Sequence, residues 1–237
     1  MAYFPLYINM ERKNCVVVGG GVVAAGKVGQ LLDFKAAITV IAPKVCSQMA
    51  QWENTGEITL VQREFCESDL EGAAVVVAAS SQREVNRYVS ELCQMQKIPV
   101  NVVDDKELCT FYFPALIRRG EVVISVSTGG SSPALAAFIR RELEAAAPDS
   151  YGRAAEIMGR YREEVLRSVK DRERRKQIFH TMLADVLAGE DITEKEVADY
   201  FADTEKNQNW HKGESSCTGA DRSVDCGGEK KISDDRM

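Results

Sequence analysis

The sequence predicts an α/β fold, a doubly wound parallel sheet followed by a smaller helical domain. Two observations carry that expectation. Short β-branched runs that are apolar throughout alternate with segments of helical periodicity, the pattern of strands buried on both faces. A run of three glycines, Gly19-Gly20-Gly21, then sits between the first such strand and the first such helix.

The elements follow in order. Cys15–Val18 is a buried strand ending in the glycines. Val22–Phe34 carries Val23, Val28, Leu31 and Leu32 at near-helical spacing. Ala37–Ile41 is a second strand, stopped by Pro43, and Ile58–Val61 a third. Ala74–Ala79 is a fourth, Glu84–Met95 a helix with Val85, Val89 and Leu92 on one side, and Pro99–Val103 a fifth strand. After Cys109 the pattern changes. Phe111-Tyr112-Phe113 and Val122–Val126 read as further strands, joined by the basic, turn-like Ile117–Glu121. Ser131-Ser132-Pro133 opens a helix running to Ala147, with a hydroxyl cap and a proline near its first position. Tyr151 to about Phe201 is helix-prone, with a weak stripe of Ile157, Tyr161, Val165, Ile178 and Leu183. From about Glu205 the chain is polar, and disorder is expected there.

Composition narrows the function classes. A formal net charge of −6 argues against nonspecific nucleic-acid binding. No apolar run of ~18 residues is present, so no spanning helix is expected. The N-terminus lacks the basic flank and apolar stretch of a signal peptide. The odd count of 7 cysteines is scattered, which suits reduced core thiols of a cytoplasmic protein. Their spacing, and that of His180 and His211, gives no metal-ligand pattern.

Gly19-x-Gly21-x-x-Ala24 fits the dinucleotide fingerprint in its required strand–turn–helix context. Gly19 permits the sharp turn, Gly21 lets a pyrophosphate approach the backbone, and Ala24 lets helix and strand pack closely. The amides of Val22 and Val23 would face the phosphates. The acid that would hold an adenosine ribose is absent. The second strand ends in Pro43-Lys44 instead, and Lys44 would tolerate a 2′-phosphate, so the residues alone do not choose NAD over NADP. Ser80, with Ala79 and Ser81, either lines the ribose side or caps the helix that carries Asn86.

A second constellation is Asn101-Val102-Val103-Asp104-Asp105, polar groups at the carboxyl end of the fifth strand, where open α/β sheets bind ligands. Asp104 there is a candidate general acid or base, or else a turn-former. Ser127 through Pro133 is a hydroxyl-rich loop ending at a helix N-terminus. It suits a carboxylate or phosphate, or else is a flexible connection.

Taken together, Val17 through Ala24, Asn101 through Asp104, Phe111 through Ala115 and Ser127 through Leu135 resemble the precorrin-2 dehydrogenase family, the N-terminal module of siroheme synthases. Phe4-Pro5-Leu6-Tyr7 is similar too, and the resemblance runs from about residue 3 to residue 147. It implies a Rossmann-type NAD-binding domain over residues 1–112, a dimerisation region over 113–150, a helical domain over 151–204 and a tail over 205–237. It implies a homodimer that oxidises precorrin-2 to sirohydrochlorin with NAD. Asp104 is then the catalytic acid/base, the turn from Gly19 to Ala24 the cofactor site, and Pro43-Lys44 its adenosine side, with Ser80 and Asn101 alongside. The substrate's carboxylates would meet Thr128, Gly129, Ser131, Ser132 and Arg118, with Arg119, Arg140 and Arg141 as further candidates. Some family members also insert ferrous ion, so a bifunctional dehydrogenase and ferrochelatase is one alternative. A nucleotide- or tetrapyrrole-binding protein without turnover is another. Two departures stand out: Ser80-Ser81 occupies a place that is often acidic, and His211, Cys217 and Cys226 fall outside the resemblance.

Overall fold

A computed structural model describes residues 3–189 together with Ile192, Val197 and Tyr200. Within it β1 (Asn14–Val18), β2 (Ala37–Ile41), β3 (Ile58–Val61), β4 (Val75–Ala78) and β5 (Val100–Val102) form one sheet in the order β3-β2-β1-β4-β5. Every neighbouring pair is parallel. Chain order reverses between β1 and β4, which opens a crevice beyond their carboxyl ends.

Strand alternation sorts the side chains onto two covered faces. Cys15, Val17, Ile38, Val40, Val75 and Val77 pack under α1 (Val22–Leu32) and α2 (Ser47–Asn54), against Ala24, Ala25, Val28, Leu31 and Met49. Val16, Val18, Val76, Ala78, Val100 and Val102 pack under α3 (Arg83–Met95), against Val89, Leu92 and Cys93. Both faces are therefore closed, and the continuous apolar runs are explained.

Several expectations need correction. α2 has no counterpart in the sequence reading, because it buries only Met49 among its own residues and so shows no apolar stripe. Phe111-Tyr112-Phe113 is not a strand. The chain at Thr110 and Phe111 instead lies along the open edge of β5, with the Thr110 amide donating to the Val100 carbonyl at 2.8 Å. Ile117–Arg119 belongs to β6 (Ala115–Arg119), which pairs with β7 (Val122–Val126), so the turn shrinks to Gly120-Glu121. Val23 is exposed, and Leu183 yields its place in the core to Met182.

α4 (Pro133–Ala145) opens as expected, with Ser132 accepting from the Leu135 amide at 3.2 Å. α5 (Ser150–Ser168) and α6 (Arg172–Leu187) pack through Ala154, Ile157, Tyr161, Val165, Ile178, Met182 and Val186. The chain divides into two compact units: residues 1–117 with 123–147, and residues 118–122 with those from 148 onward. Among the described residues no helix is long and apolar enough to cross a membrane.

Candidate functional site

The glycine turn is built by close backbone approach. Gly19 has φ of +131°, and a Cβ there would stand 2.3 Å from the Ala79 carbonyl oxygen. That contact brings the end of β4 against the end of β1. Gly20, which the fingerprint leaves free, is equally constrained: a Cβ would lie 2.1 Å from the Lys44 carbonyl oxygen. Pro43 and Lys44, both exposed, are therefore held against the turn. Three glycines in a row were the available signal for this second constraint.

Gly21 differs from its neighbours, since a Cβ there would meet nothing within 4 Å. It is the N-cap of α1, and no side chain caps the helix. The first amides of α1, including those of Val22 and Val23, lack intrahelical acceptors. They face open space on a positive helix end, which fits a dinucleotide pyrophosphate. Ala24 is fully buried behind them.

Ser80 is fixed on both sides. Its amide donates to Asn86 Oδ1 and its carbonyl accepts from Asn86 Nδ2, each at 2.9 Å. Its hydroxyl accepts at 3.1 Å from the amide of Gln82, the N-cap residue itself, so Ser80 turns the chain into α3 but caps none of its helical amides. Asn101 is buried, and its amide donates to the Phe111 carbonyl at 3.0 Å. It holds the aromatic segment against β5.

Asp104 lies just past β5, exposed, with φ of +60°. A non-glycine residue in the left-handed region costs on the order of 1 kcal/mol, and such strain gathers at functional turns. Asp105 turns away to Arg83, 3.1 Å distant. The carboxylate that remains at the sheet's ligand-binding edge is that of Asp104.

The hydroxyl loop is tied by its own side chains. Thr128 Oγ1 donates to the Ser132 carbonyl at 3.0 Å and accepts from the Ser132 amide at 3.1 Å. Gly129 and Gly130 both have positive φ. A Cβ on Gly130 would stand 3.2 Å from Tyr112 Cζ and 3.5 Å from Lys106 Cδ. The Tyr112 hydroxyl in turn reaches the Lys106 carbonyl at 3.4 Å and accepts from Tyr3 at 3.1 Å. Burial, with the bond to Tyr3, raises the Tyr112 phenol above its usual range. Tyr112 and Lys106 thus join the Asp104 turn to the Thr128–Ser132 loop; Tyr112 stood within the aromatic block of the sequence, whereas Lys106 showed no motif.

Lys27 of α1 sits 4.3 Å from the Phe113 ring centroid, and burial lowers its pKa. Arg118 belongs to the other compact unit, where its Nε donates to the Gly120 carbonyl at 3.1 Å. Arg119 pairs with Asp149 at 2.8 Å and Arg140 with Glu144 at 2.6 Å. Among the described residues no group of His, Cys, Asp and Glu is arranged to hold a metal ion. His211, Cys217 and Cys226 lie outside the described residues.

The sheet order, the uncapped α1 and the closed glycine contacts define a Rossmann-type dinucleotide-binding domain. A family model described as putative NAD(P)-binding matches residues 6–115, and one described as the central part of a sirohaem biosynthesis protein matches residues 119–146. The siroheme synthase of Thioalkalivibrio sulfidiphilus is 39% identical over 183 residues, covering 77% of this chain and 37% of that protein. That of Neisseria meningitidis serogroup C is 40% identical over 177 residues, covering 73% and 37%. The chain belongs to the same family as these siroheme synthases. It spans less than half the length of the curated relatives it matches. A solved structure of SirC, a precorrin-2 dehydrogenase, superposes with a TM-score of 0.71 at 22% identity, covering 84% of this chain and 97% of that one, and shows the same fold.

Proposed function

We propose that the protein catalyses the NAD-dependent dehydrogenation of precorrin-2 to sirohydrochlorin, with Asp104 as general acid/base. The observation that carries this reading is the left-handed Asp104 turn at the same sheet edge as the uncapped start of α1. A bound nicotinamide supplies the hydride acceptor. The chain's own residues do the rest. Gly19 and Gly20 close the turn so that the α1 amides point outward. Pro43, Lys44 and Ser80 border the nucleotide. Asp104 takes the proton released as the hydride departs. The Thr128–Ser132 loop receives substrate carboxylates, with Thr128, Gly129, Ser131 and Ser132 as the contacts, and Arg118 supplies a further cation. NAD in preference to NADP, and a cytoplasmic setting, belong to the same proposal.

A homodimer is part of the same reading. Phe4 and Leu6 near the N-terminus, and Phe138 on α4, are 85%, 71% and 52% exposed. These apolar side chains are available to a second copy of the chain, as the dimer requires. Sedimentation measurements that give a monomer across the micromolar range would rule the dimer out.

The decisive experiment supplies precorrin-2 with NAD or NADP and follows the reduced cofactor. Turnover with NAD is the expected outcome. Asp104→Asn should lower kcat by roughly 10²–10⁴-fold while leaving NAD binding intact. Turnover equal to the parent protein would remove Asp104 from the reaction.

A further inference from the structure

β5 is an edge strand, and among the described residues the edge opposite β4 has no neighbouring strand to satisfy it. The following segment performs that task. Thr110 Oγ1 accepts from the Val100 amide at 2.8 Å, and the Thr110 amide donates to the Val100 carbonyl at 2.8 Å. One step further along, a thiol takes over. Cys109 Sγ accepts from the Val102 amide at 3.2 Å and donates to the Val102 carbonyl at 3.2 Å. The same Sγ lies 3.2 Å from the Asp105 carbonyl oxygen. It therefore touches the backbone on both sides of Asp104, the one left-handed residue of that turn.

We propose that Cys109 is a positioning residue for Asp104, its thiol clamping Val102 to Asp105 so that the carboxylate between them is held in its left-handed conformation. The inference rests on the reading of Asp104 as the acid/base. Cys109 is buried, and burial pushes the thiol's pKa up, so the S–H donor persists at neutral pH. Only one proton is available to two carbonyl oxygens, so the bond is shared or alternates between them. Loss of the thiol leaves the Val102 amide and carbonyl unpaired in a dry site, and a turn that already stores strain is the first place to relax. The charged groups about the turn are Asp105 with its partner Arg83, Lys106 and Glu107 from the same loop, and Lys27 from α1, which interacts electrostatically with the thiol. All of them persist in the variants below.

The test compares Cys109→Ala and Cys109→Val, which remove the polar group, with Cys109→Ser, which keeps a donor and acceptor. Turnover of precorrin-2 with NAD is measured across pH, and KM for NAD is measured separately. The apolar variants should lose on the order of tenfold in kcat, the scale of a mispositioned catalytic group, at unchanged KM for NAD. The pH limb belonging to Asp104 should also move, and Cys109→Ser should restore both. An unchanged kcat and pH profile in whichever apolar variant folds would overturn the proposal. So would equal losses in all three variants with the profile unmoved, since that is a purely structural effect. A ¹³C titration of the Asp104 carboxyl, assigned by its disappearance in Asp104→Asn, separates this proposal from the functional reading. A displaced titration in a protein that makes no NADH overturns the enzyme assignment alone. An undisplaced titration in a working enzyme overturns the role of Cys109 alone.

Discussion

The sheet unit and the helical unit are stabilised in different ways, and the difference explains where chemistry can reside. In the sheet unit the apolar faces of five strands are sealed by α1, α2 and α3. Its frame is rigid enough to hold Gly19 at a φ of +131° and Asp104 at +60°. Among the described residues the helical unit rests on one apolar cluster, built by α5 and α6 together with Val169, Ile192 and Val197. Among its described residues every non-glycine backbone is free of left-handed strain. Strained backbone needs surroundings that over-determine it, and only the sheet unit provides them.

The largest effect that would break this comparison is Gly19→Ala. The added Cβ would meet the backbone of Ala79 and Ser80 at 2.3 to 2.9 Å, and no flexible side chain can give way. Dinucleotide affinity should fall at least a hundredfold, with roughly 3 kcal/mol lost from the sheet unit. Isothermal titration with NAD and urea unfolding measure the two parts. Near-normal affinity would mean that the turn is softer than its contacts imply.

The next effect is alkaline and separates the units by composition. Burial pushes Cys15 and Cys93 up to about 11, and raises Cys109 as well. The unfolded value is about 8.5. The folded state therefore holds these protons to higher pH than the unfolded state does. The stabilisation is complete below about pH 8.5 and is lost as pH rises toward 11. The helical unit has no cysteine among its described residues. The urea midpoint should therefore fall between pH 8 and 10.5, and fall less steeply in Cys15→Ala. Parallel slopes in the two proteins would show that the thiol does not carry the effect.

Legibility in the sequence followed the same divide. Strands β1 and β4 were readable because burial on both faces forces uninterrupted apolar, β-branched runs. The turn from Gly19 to Ala24 was readable because backbone contact excludes a side chain at Gly19 and Gly20, which leaves a run of glycines. Helix α2 was not, since a helix that contributes little besides Met49 to the core shows no stripe. The support of Asp104 was hidden for another reason. Cys109 and Tyr112 act through bonds to backbone groups four to seven residues away, and nothing in the sequence marks a thiol or a phenol for such a bond. The strand expected at Phe111–Phe113 was a related error. Aromatic residues of high β-propensity there pack as an edge cover, and tertiary packing overrides propensity.

Two glycines of α5 bring the comparison to its smallest scale. Gly152 packs on the β6–β7 turn, and a Cβ there would stand 2.7 Å from the Arg119 carbonyl carbon and oxygen. Gly152→Ala should cost about 1–3 kcal/mol, as overpacking does, and loosen the ion pair from Arg119 to Asp149. Gly159, seven residues on and exposed, has nothing within 4 Å of an added Cβ. It stands inside a 19-residue helix. There alanine only narrows the unfolded ensemble and restores helix propensity, so Gly159→Ala should stabilise by about 0.5–1 kcal/mol. Thermal unfolding of the two variants reads both signs, and NAD-dependent turnover should not respond to Gly159→Ala. A destabilising Gly159→Ala would mean that this face of α5 is covered in the working protein. The smallest substitution would then locate a contact surface on the helical unit.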